Sequence, residues 1–270
     1  PVYYPFLDAV KNNHRTLICS DLKNENGIYT IDFEDFEKKI IEHNVKLFIL
    51  CSPHNPAGRV WKKEELKRLF EICKKHHVFV VSDEIHQDLV FGENKHIPSL
   101  SIGDYDDMMV SIAAASKTFN IAGAQNSMVI IPDKKLRKKW DAYTKGNRIQ
   151  GGNTFGYVAA QAAYAGGKEW LDQVLKQIDE NYRYLKAELA EKMPEAIVTP
   201  LEGTYLCWIN LKAYVSADDI KEVIQKKCHL AVDYGDWFGG ERFGTFIRMN
   251  LATSMENVKT GVEALINNLK

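Results

Sequence analysis

Lys46-Leu47-Phe48-Ile49-Leu50-Cys51 is apolar from its second residue on and runs directly into Ser52-Pro53-His54-Asn55-Pro56-Ala57-Gly58. A short unbroken apolar run reads as a strand covered on both faces, the pattern of a parallel sheet. Two prolines and a glycine behind it force a rigid turn that holds Asn55 between them. The same grammar recurs downstream. Lys62 to His77 has helical spacing, Val78-Phe79-Val80-Val81-Ser82 is a second apolar strand, Met108-Met109-Val110-Ser111-Ile112 a third, and Ser127-Met128-Val129-Ile130-Ile131 a fourth, stopped by Pro132-Asp133. Upstream, Leu17-Ile18-Cys19-Ser20 reads as a short strand and Asp32 to His43 as a helix with Asp32 as N-cap. Strand–helix–strand alternation predicts an α/β fold with a mostly parallel sheet flanked by helices. Beyond Thr154 the texture changes. An Ala-rich helix (Phe155 to Ala165) and a long amphipathic helix (Trp170 to Met193) precede a strand over Gly203–Ile209, a helix over Ala217–Lys227, a strand over Thr245–Asn250 and a closing helix over Met255–Leu269. The expected division is a large domain, 1–171, and a smaller C-terminal α/β domain, 172–270, with the long helix as connector.

Composition narrows the function classes. The chain has 270 residues, a formal net charge of −1 and 45% hydrophobic residues, which fits a soluble globular protein. No apolar run reaches the length of a membrane helix, and the balanced charge leaves no footprint for nucleic acid. Cys19, Cys51, Cys73, Cys207 and Cys228 are scattered, odd in number and without a C-x-x-C pair. They read as structural thiols of a reducing cytoplasm.

Three side chains fall where strands end, the place at which open α/β sheets hold ligands. Lys117, in Ser116-Lys117-Thr118-Phe119-Asn120, follows the apolar Ala113-Ala114-Ala115. Lysine is almost never buried unpaired, and a desolvated amine is a nucleophile towards carbonyls. That suggests a Schiff-base lysine for pyridoxal phosphate; the alternative is a strand-end lysine in solvent. Asp83, in Ser82-Asp83-Glu84-Ile85-His86, ends an apolar strand and needs a cation. The protonated nitrogen of a pyridine ring would serve. A metal site built from Asp83, Glu84 and His86 with His76, His77 or His96 lacks ligand spacing such as H-E-x-x-H, and no metal is expected. Arg248 lies amid the apolar strand Phe246-Ile247-Arg248-Met249-Asn250. It wants a carboxylate or phosphate, either a substrate's α-carboxylate or an internal Asp or Glu.

In chain order these are an aromatic residue, Asn in a Pro loop, Asp at a strand end, Lys after a strand, and Arg near the C-terminus. That order resembles the fold-type I pyridoxal-phosphate enzymes, the aspartate aminotransferase superfamily. Ser52–Trp61, Ser82–Phe91, Ser116–Gly123 and Gly203-Thr204-Tyr205-Leu206 resemble its MalY/PatB branch of cystathionine β-lyase-like C–S lyases. The resemblance runs from Tyr3 to the C-terminus. It implies that Lys117 binds pyridoxal 5′-phosphate as a Schiff base and later moves the Cα proton, that Asp83 pairs with the pyridine nitrogen, and that Asn55 hydrogen-bonds the phenolic oxygen. It further implies that Tyr3 stacks on the ring, that Ser116 neighbours the phosphate-binding segment, and that Arg248 takes the substrate carboxylate. His86 stands where aminotransferases usually carry a second ligand to the phenolic oxygen, a Tyr three residues after the Asp. Ala114 replaces a frequent hydroxyl residue and Gln125 a frequent phosphate-holding Arg.

The implied reaction is α,β-elimination of cystathionine or another L-cysteine-type amino acid to pyruvate, ammonia and a thiol such as homocysteine. The rivals are an aminotransferase on the same scaffold and a non-catalytic fragment or regulatory interaction module. The resemblance also implies a homodimer with its active site at the subunit interface. It places a further segment before Tyr3, including a glycine loop at a helix N-terminus that meets the phosphate. The expectation is a piece of a longer protein that by itself binds the cofactor weakly or not at all.

Overall fold

The structure, a computed structural model, describes residues 1–149 and 151–269. The chain opens with helix α1 (Tyr4–Asn12), which the sequence reading did not anticipate. The strand expected at Leu17–Ser20 is absent. The chain instead forms a hairpin of β1 (Leu22–Glu25) and β2 (Ile28–Ile31). Asn26 and Gly27 take φ of 51° and 87°, the positive pair that a two-residue hairpin turn demands. Turn chemistry at Asn26-Gly27 thus outweighs the apolar run before it.

Helix α2 (Phe33–His43) starts where Asp32 accepts a hydrogen bond from the Asp35 amide at 3.1 Å. It turns Phe36 and Ile40 inward. Strand β3 (Leu47–Cys51) leads through the proline loop to helix α3 (Lys63–Lys75), whose buried stripe is Leu66, Leu69, Phe70, Ile72 and Cys73. Strands β4 (Phe79–Asp83), β5 (Met109–Ala113) and β6 (Met128–Ile130) complete a sheet ordered β3-β4-β5-β6. The first two pairings are parallel and β5–β6 is antiparallel, so the mostly parallel expectation holds. Cover on both faces does not hold throughout. Leu47 of β3 and Met128 and Ile130 of β6 are exposed among the described residues. The register sets Cys51 beside Asp83 and Asp83 beside Ile112, so the proline loop, Asp83 and the turn after β5 emerge at one end of the sheet.

Helix α4 (Ala115–Thr118) is a single turn after β5. Helices α5 (Lys134–Gly146), α6 (Thr154–Gly166) and α7 (Lys168–Lys192) follow. The second sheet is wholly antiparallel and ordered β7-β8-β10-β9, from β7 (Ile197–Val198), β8 (Leu206–Asn210), β9 (Asp233–Tyr234) and β10 (Phe246–Asn250). The helix expected at Ala217–Lys227 is a short turn, α8 (Ile220–Glu222), that widens to a π-turn over Val223–Lys227. Helix α9 (Met255–Asn268) closes the chain. Ile178, Leu185 and Leu189 of α7 join Ile209, Ile247, Val262 and Leu265 in one core. Phe36, Leu50, Leu66, Phe70, Val80 and Met109 make another under the first sheet.

The N-terminal residues lie against the second sheet. The Val2 amide donates to the Phe238 carbonyl at 2.9 Å, and the Trp208 indole N–H donates to the buried Tyr29 hydroxyl at 3.1 Å. Tyr29, Trp208, Phe238 and Phe246 form a third apolar cluster between the hairpin and this sheet.

Candidate active site

The proline loop is locked to the segment that leads into β8. The Gly58 carbonyl accepts from the Glu202 and Gly203 amides at 2.9 Å each, and Gly58 itself has φ of 65°. A Cβ at Gly58 would sit 3.0 Å from the Pro200 carbonyl oxygen, so a side chain meets both an unfavourable backbone conformation and a close neighbour. This clamp holds Asn55, which is 4% exposed and donates its backbone N–H to the Cys51 sulfur at 3.3 Å. The Asn55 side-chain oxygen accepts from Arg248 Nη1 at 2.8 Å. Arginine only donates, so the Asn55 NH₂ is the end left for another partner.

Asp83 ends β4 with its Oδ1 accepting from the Ile85 amide at 3.2 Å. Burial pushes its carboxyl pKa up, the Glu84 charge adds to the rise, and the Lys117 charge opposes it. A cation brought to this carboxylate would keep it ionised. Lys117 lies on α4, held in place by the Thr118 hydroxyl donating to Asp88 at 2.8 Å. It makes no ion pair among the described residues. Ser116, beside it, is half-buried and does not line the cleft.

His86 is buried at 3% exposure, edge-on to Tyr205 with ring centroids 5.6 Å apart. Burial, then the charges of Lys117 and Arg248, depresses its pKa to about 3, so the imidazole is neutral near pH 7. Its Nδ1 is buried without a hydrogen-bond partner. Tyr3 precedes α1. Burial raises its pKa, and the charges of Asp83, Asp233 and Arg248 all reach it.

Arg248 projects from β10, opposite Asp233 of β9 and Trp208 of β8. Its Nη2 donates to the Asp233 carboxylate, and its guanidinium lies 4.7 Å from the Phe238 ring centroid. The internal-carboxylate alternative is therefore realised, and Arg248 still faces the cleft. Tyr3, Asn55, His86, Lys117, Tyr205 and Arg248 line one cleft of about 360 Å³, joined by Asp233 and Asn250. Sequence reasoning missed Asp233 and Asn250 and gave Tyr205 no role. Tyr205 could have been read from the Gly203–Leu206 motif. Asp233 could not, because β9 is two residues long.

Three residues of the metal alternative, Glu84, His96 and His76, pair with other groups. His96 Nε2 meets Glu84 at 2.8 Å, and the Ser99 amide donates to Glu84 at 3.1 Å. Burial raises the Glu84 pKa, but its bonds to His96, Ser82 and the Ser99 amide outweigh that and leave it lowered. His76 meets Glu37 at 2.8 Å. Among the described residues no three His, Cys, Asp or Glu side chains converge as a metal site.

The profile of aminotransferase class I and II matches residues 1–265. The chain belongs to this family. Cystathionine β-lyase PatB of Bacillus subtilis is 40% identical over 267 residues, 98% of this chain and 69% of PatB. Protein MalY of Escherichia coli is 30% identical over 273 residues, all of this chain and 69% of MalY. Among solved structures, cystalysin from Treponema denticola, which contains pyridoxal 5′-phosphate, superposes with a TM-score of 0.94 at 38% identity, over all of this chain and 68% of cystalysin. A pyridoxal-phosphate-bound protein of Clostridium difficile 630, provisionally assigned as an aminotransferase, superposes with a TM-score of 0.96 at 41% identity, over all of this chain and 70% of that one. The family's mixed α/β architecture is the fold described above. Cystathionine β-lyase PatB and a provisionally assigned aminotransferase thus both stand among the proteins that this chain resembles.

Proposed function

We propose that the Lys117 cleft is the active centre of a pyridoxal-phosphate-dependent C–S β-lyase acting on cystathionine or a related L-cysteine-type amino acid. The observation that carries this reading is the convergence of Lys117, Asn55, His86 and Arg248 on one cleft, with Asp83 at the adjoining strand end, close enough for the Lys117 charge to act on its carboxylate. The donor set fits the cofactor. Asp83 is a partly buried carboxylate short of a cation, the Asn55 NH₂ is free to donate, and Lys117 is an unpaired amine. When bound, pyridoxal phosphate supplies an electron sink for charge developing at the substrate Cα. Lys117 would hold the cofactor aldehyde and, as a free amine, would serve as the base whose Nζ takes the substrate Cα proton. Asp83 would keep the pyridine nitrogen protonated, and the Asn55 NH₂ would donate to the phenolic oxygen. Tyr3 would cover the ring and neutral His86 would pack beside it; Ser116 does not line the cleft, and its place near the phosphate-binding segment follows from the family resemblance alone. Arg248 orients the substrate by its carboxylate. The thiolate would leave Cβ with the C–S bonding pair as the Cα proton passes to Lys117, and water would hydrolyse the released 2-aminoacrylate to pyruvate and ammonia.

Supporting the lyase over the aminotransferase are the names of PatB and cystalysin and the His at position 86. Two sheets with separate cores support domains 1–171 and 172–270, α7 packing against the second core from Val174 on. The five unpaired cysteines support a cytoplasmic setting, and no helix among the described residues is long and apolar enough to cross a membrane. Exposed apolar side chains on α6 support a homodimer.

The test uses the chain with pyridoxal phosphate in large excess, since weak binding is expected of it. Visible absorbance of lysine-bound cofactor should appear and be lost in Lys117→Ala, and pyruvate should form from cystathionine without any keto-acid acceptor. Pyruvate-free transamination that needs an acceptor would replace the lyase with the aminotransferase.

A further inference from the structure

Arg248 already holds a carboxylate. Asp233 sits directly across the ladder from it, where facing side chains of an antiparallel pair interact. The Asp233 carboxylate accepts from Nη2, Asn55 accepts from Nη1, and Nε is buried without a partner. Phe238 lies against the guanidinium. The arginine side chain is 10% exposed and that of Asp233 is 30% exposed. The arginine is therefore fixed, while the aspartate borders solvent on the cleft side. Among the residues lining the cleft, Asp233 is the one anionic side chain, set against the cations Lys117 and Arg248.

We infer that Asp233 is a built-in competitor for Arg248, a carboxylate that an incoming substrate carboxylate must displace or crowd, and that it thereby sets the affinity and selectivity of the cleft for carboxylate ligands. The inference rests on Arg248 as the carboxylate anchor. A guanidinium offers its five N–H donors in a planar fork, and a bidentate carboxylate takes two of them along one edge. With Nη2 committed, a ligand carboxylate gains its second bond only by moving Asp233 aside or by lying next to it, and like charges in contact oppose binding. Asp233 rotating towards solvent would free the fork, and its partial exposure leaves room for that. The register keeps the aspartate backbone opposite Arg248 throughout, so the competitor stays tethered and returns when the ligand leaves.

The experiment needs neither cofactor nor turnover. Propionate is titrated into the parent chain, Asp233→Asn and Arg248→Lys, and binding is followed by NMR of the arginine side-chain N–H signals and by protein chemical shifts. Asparagine retains an oxygen that can accept from Nη2, so the arginine stays oriented while the competing charge is gone. Asp233→Asn should bind propionate about tenfold more tightly than the parent, and the difference should shrink as salt is raised. Propionamide, which carries no charge, should show no such gain. Equal or weaker propionate binding by folded Asp233→Asn, or no saturable binding in either chain, overturns the inference and leaves Asp233 as an orienting partner of Arg248. Propionate binding that is indifferent to Arg248→Lys overturns the carboxylate-anchor reading itself.

Discussion

A histidine buried without a hydrogen-bond partner resists protonation, because its cation would lose water and gain nothing. His54 and His86 both stand in this condition, each with an orphan Nδ1. Burial first, then nearby positive charge, takes both from their ordinary 6.5 to about 3. Below pH 6.5 the unfolded chain binds protons that the folded chain refuses. The stabilisation is complete above 6.5 and is lost as pH falls towards about 3, at roughly 1.4 kcal/mol per pH unit for each histidine. Urea midpoints should therefore fall steadily between neutral pH and about pH 5. His54→Phe keeps the aromatic contact with Trp61 and removes one titrating ring, so its stability should fall less steeply with acid than the parent's. Identical slopes would place the histidines in water rather than in the core. The same burial explains why His86 is no stand-in for a phenol that donates or ionises: at neutral pH it is a neutral, mostly apolar wall of the cleft.

Arg59 links four elements. From the loop after β3 it donates to the Tyr29 carbonyl of β2, to Glu202 Oε2 before β8 at 2.9 Å, and to both carboxylate oxygens of Glu65 on α3 at 3.2 Å. The Lys62 amide bonds the same Glu65 at 2.8 Å, closing the first turn of α3. Arg59→Ala leaves two partly buried carboxylates and a buried carbonyl without their cation, and it should cost about 3–5 kcal/mol in urea unfolding. A loss under 1 kcal/mol would mean that water replaces the guanidinium at little expense. None of this was legible in the sequence, where Arg59 is one letter after a turn glycine. What was legible followed from local periodicity: β3, β4, β5 and β10 as apolar runs, α2 from its Asp32 cap, α3 from its apolar stripe. Strand ends and the order of Asn55, Asp83 and Lys117 made that half of the site readable. β7 and β9 are two residues each, below any periodic signal, so the partner of Arg248 emerges only from the ladder. Asn26-Gly27 carries a hairpin-turn signal in plain view, while the apolar residues Leu17–Cys19 lack, among the described residues, the strand partner that would make them an element.

At the scale of the whole chain the near-zero net charge sets no long-range repulsion against self-association, and apolar surface is concentrated on α6 and its neighbours. Phe155 is 85% exposed and Val158 61%, one helical turn apart on α6, with Tyr157 and Tyr164 also exposed on the same helix. Gly156 is the one buried residue that α6 contributes. A helix with its apolar residues turned outward is stable in water only as part of a larger buried surface. The proposed homodimer supplies that surface, and an isologous contact would repeat each of these side chains across the two-fold axis. Burying a Phe or Val side chain is worth about 1.5–3 kcal/mol, and a dimer counts each residue twice. The double variant Phe155→Glu with Val158→Glu should therefore raise the dimer dissociation constant by at least about a hundredfold. Sedimentation velocity should show the 30.8 kDa chain as a dimer in the parent and a monomer in the variant at the same concentration. Both residues lie outside the cleft, so the propionate affinity of the variant should match the parent's where the cleft is complete within one chain and fall where the partner shapes it. A parent chain that sediments as a monomer at high concentration, with this face exposed, would refute the dimer.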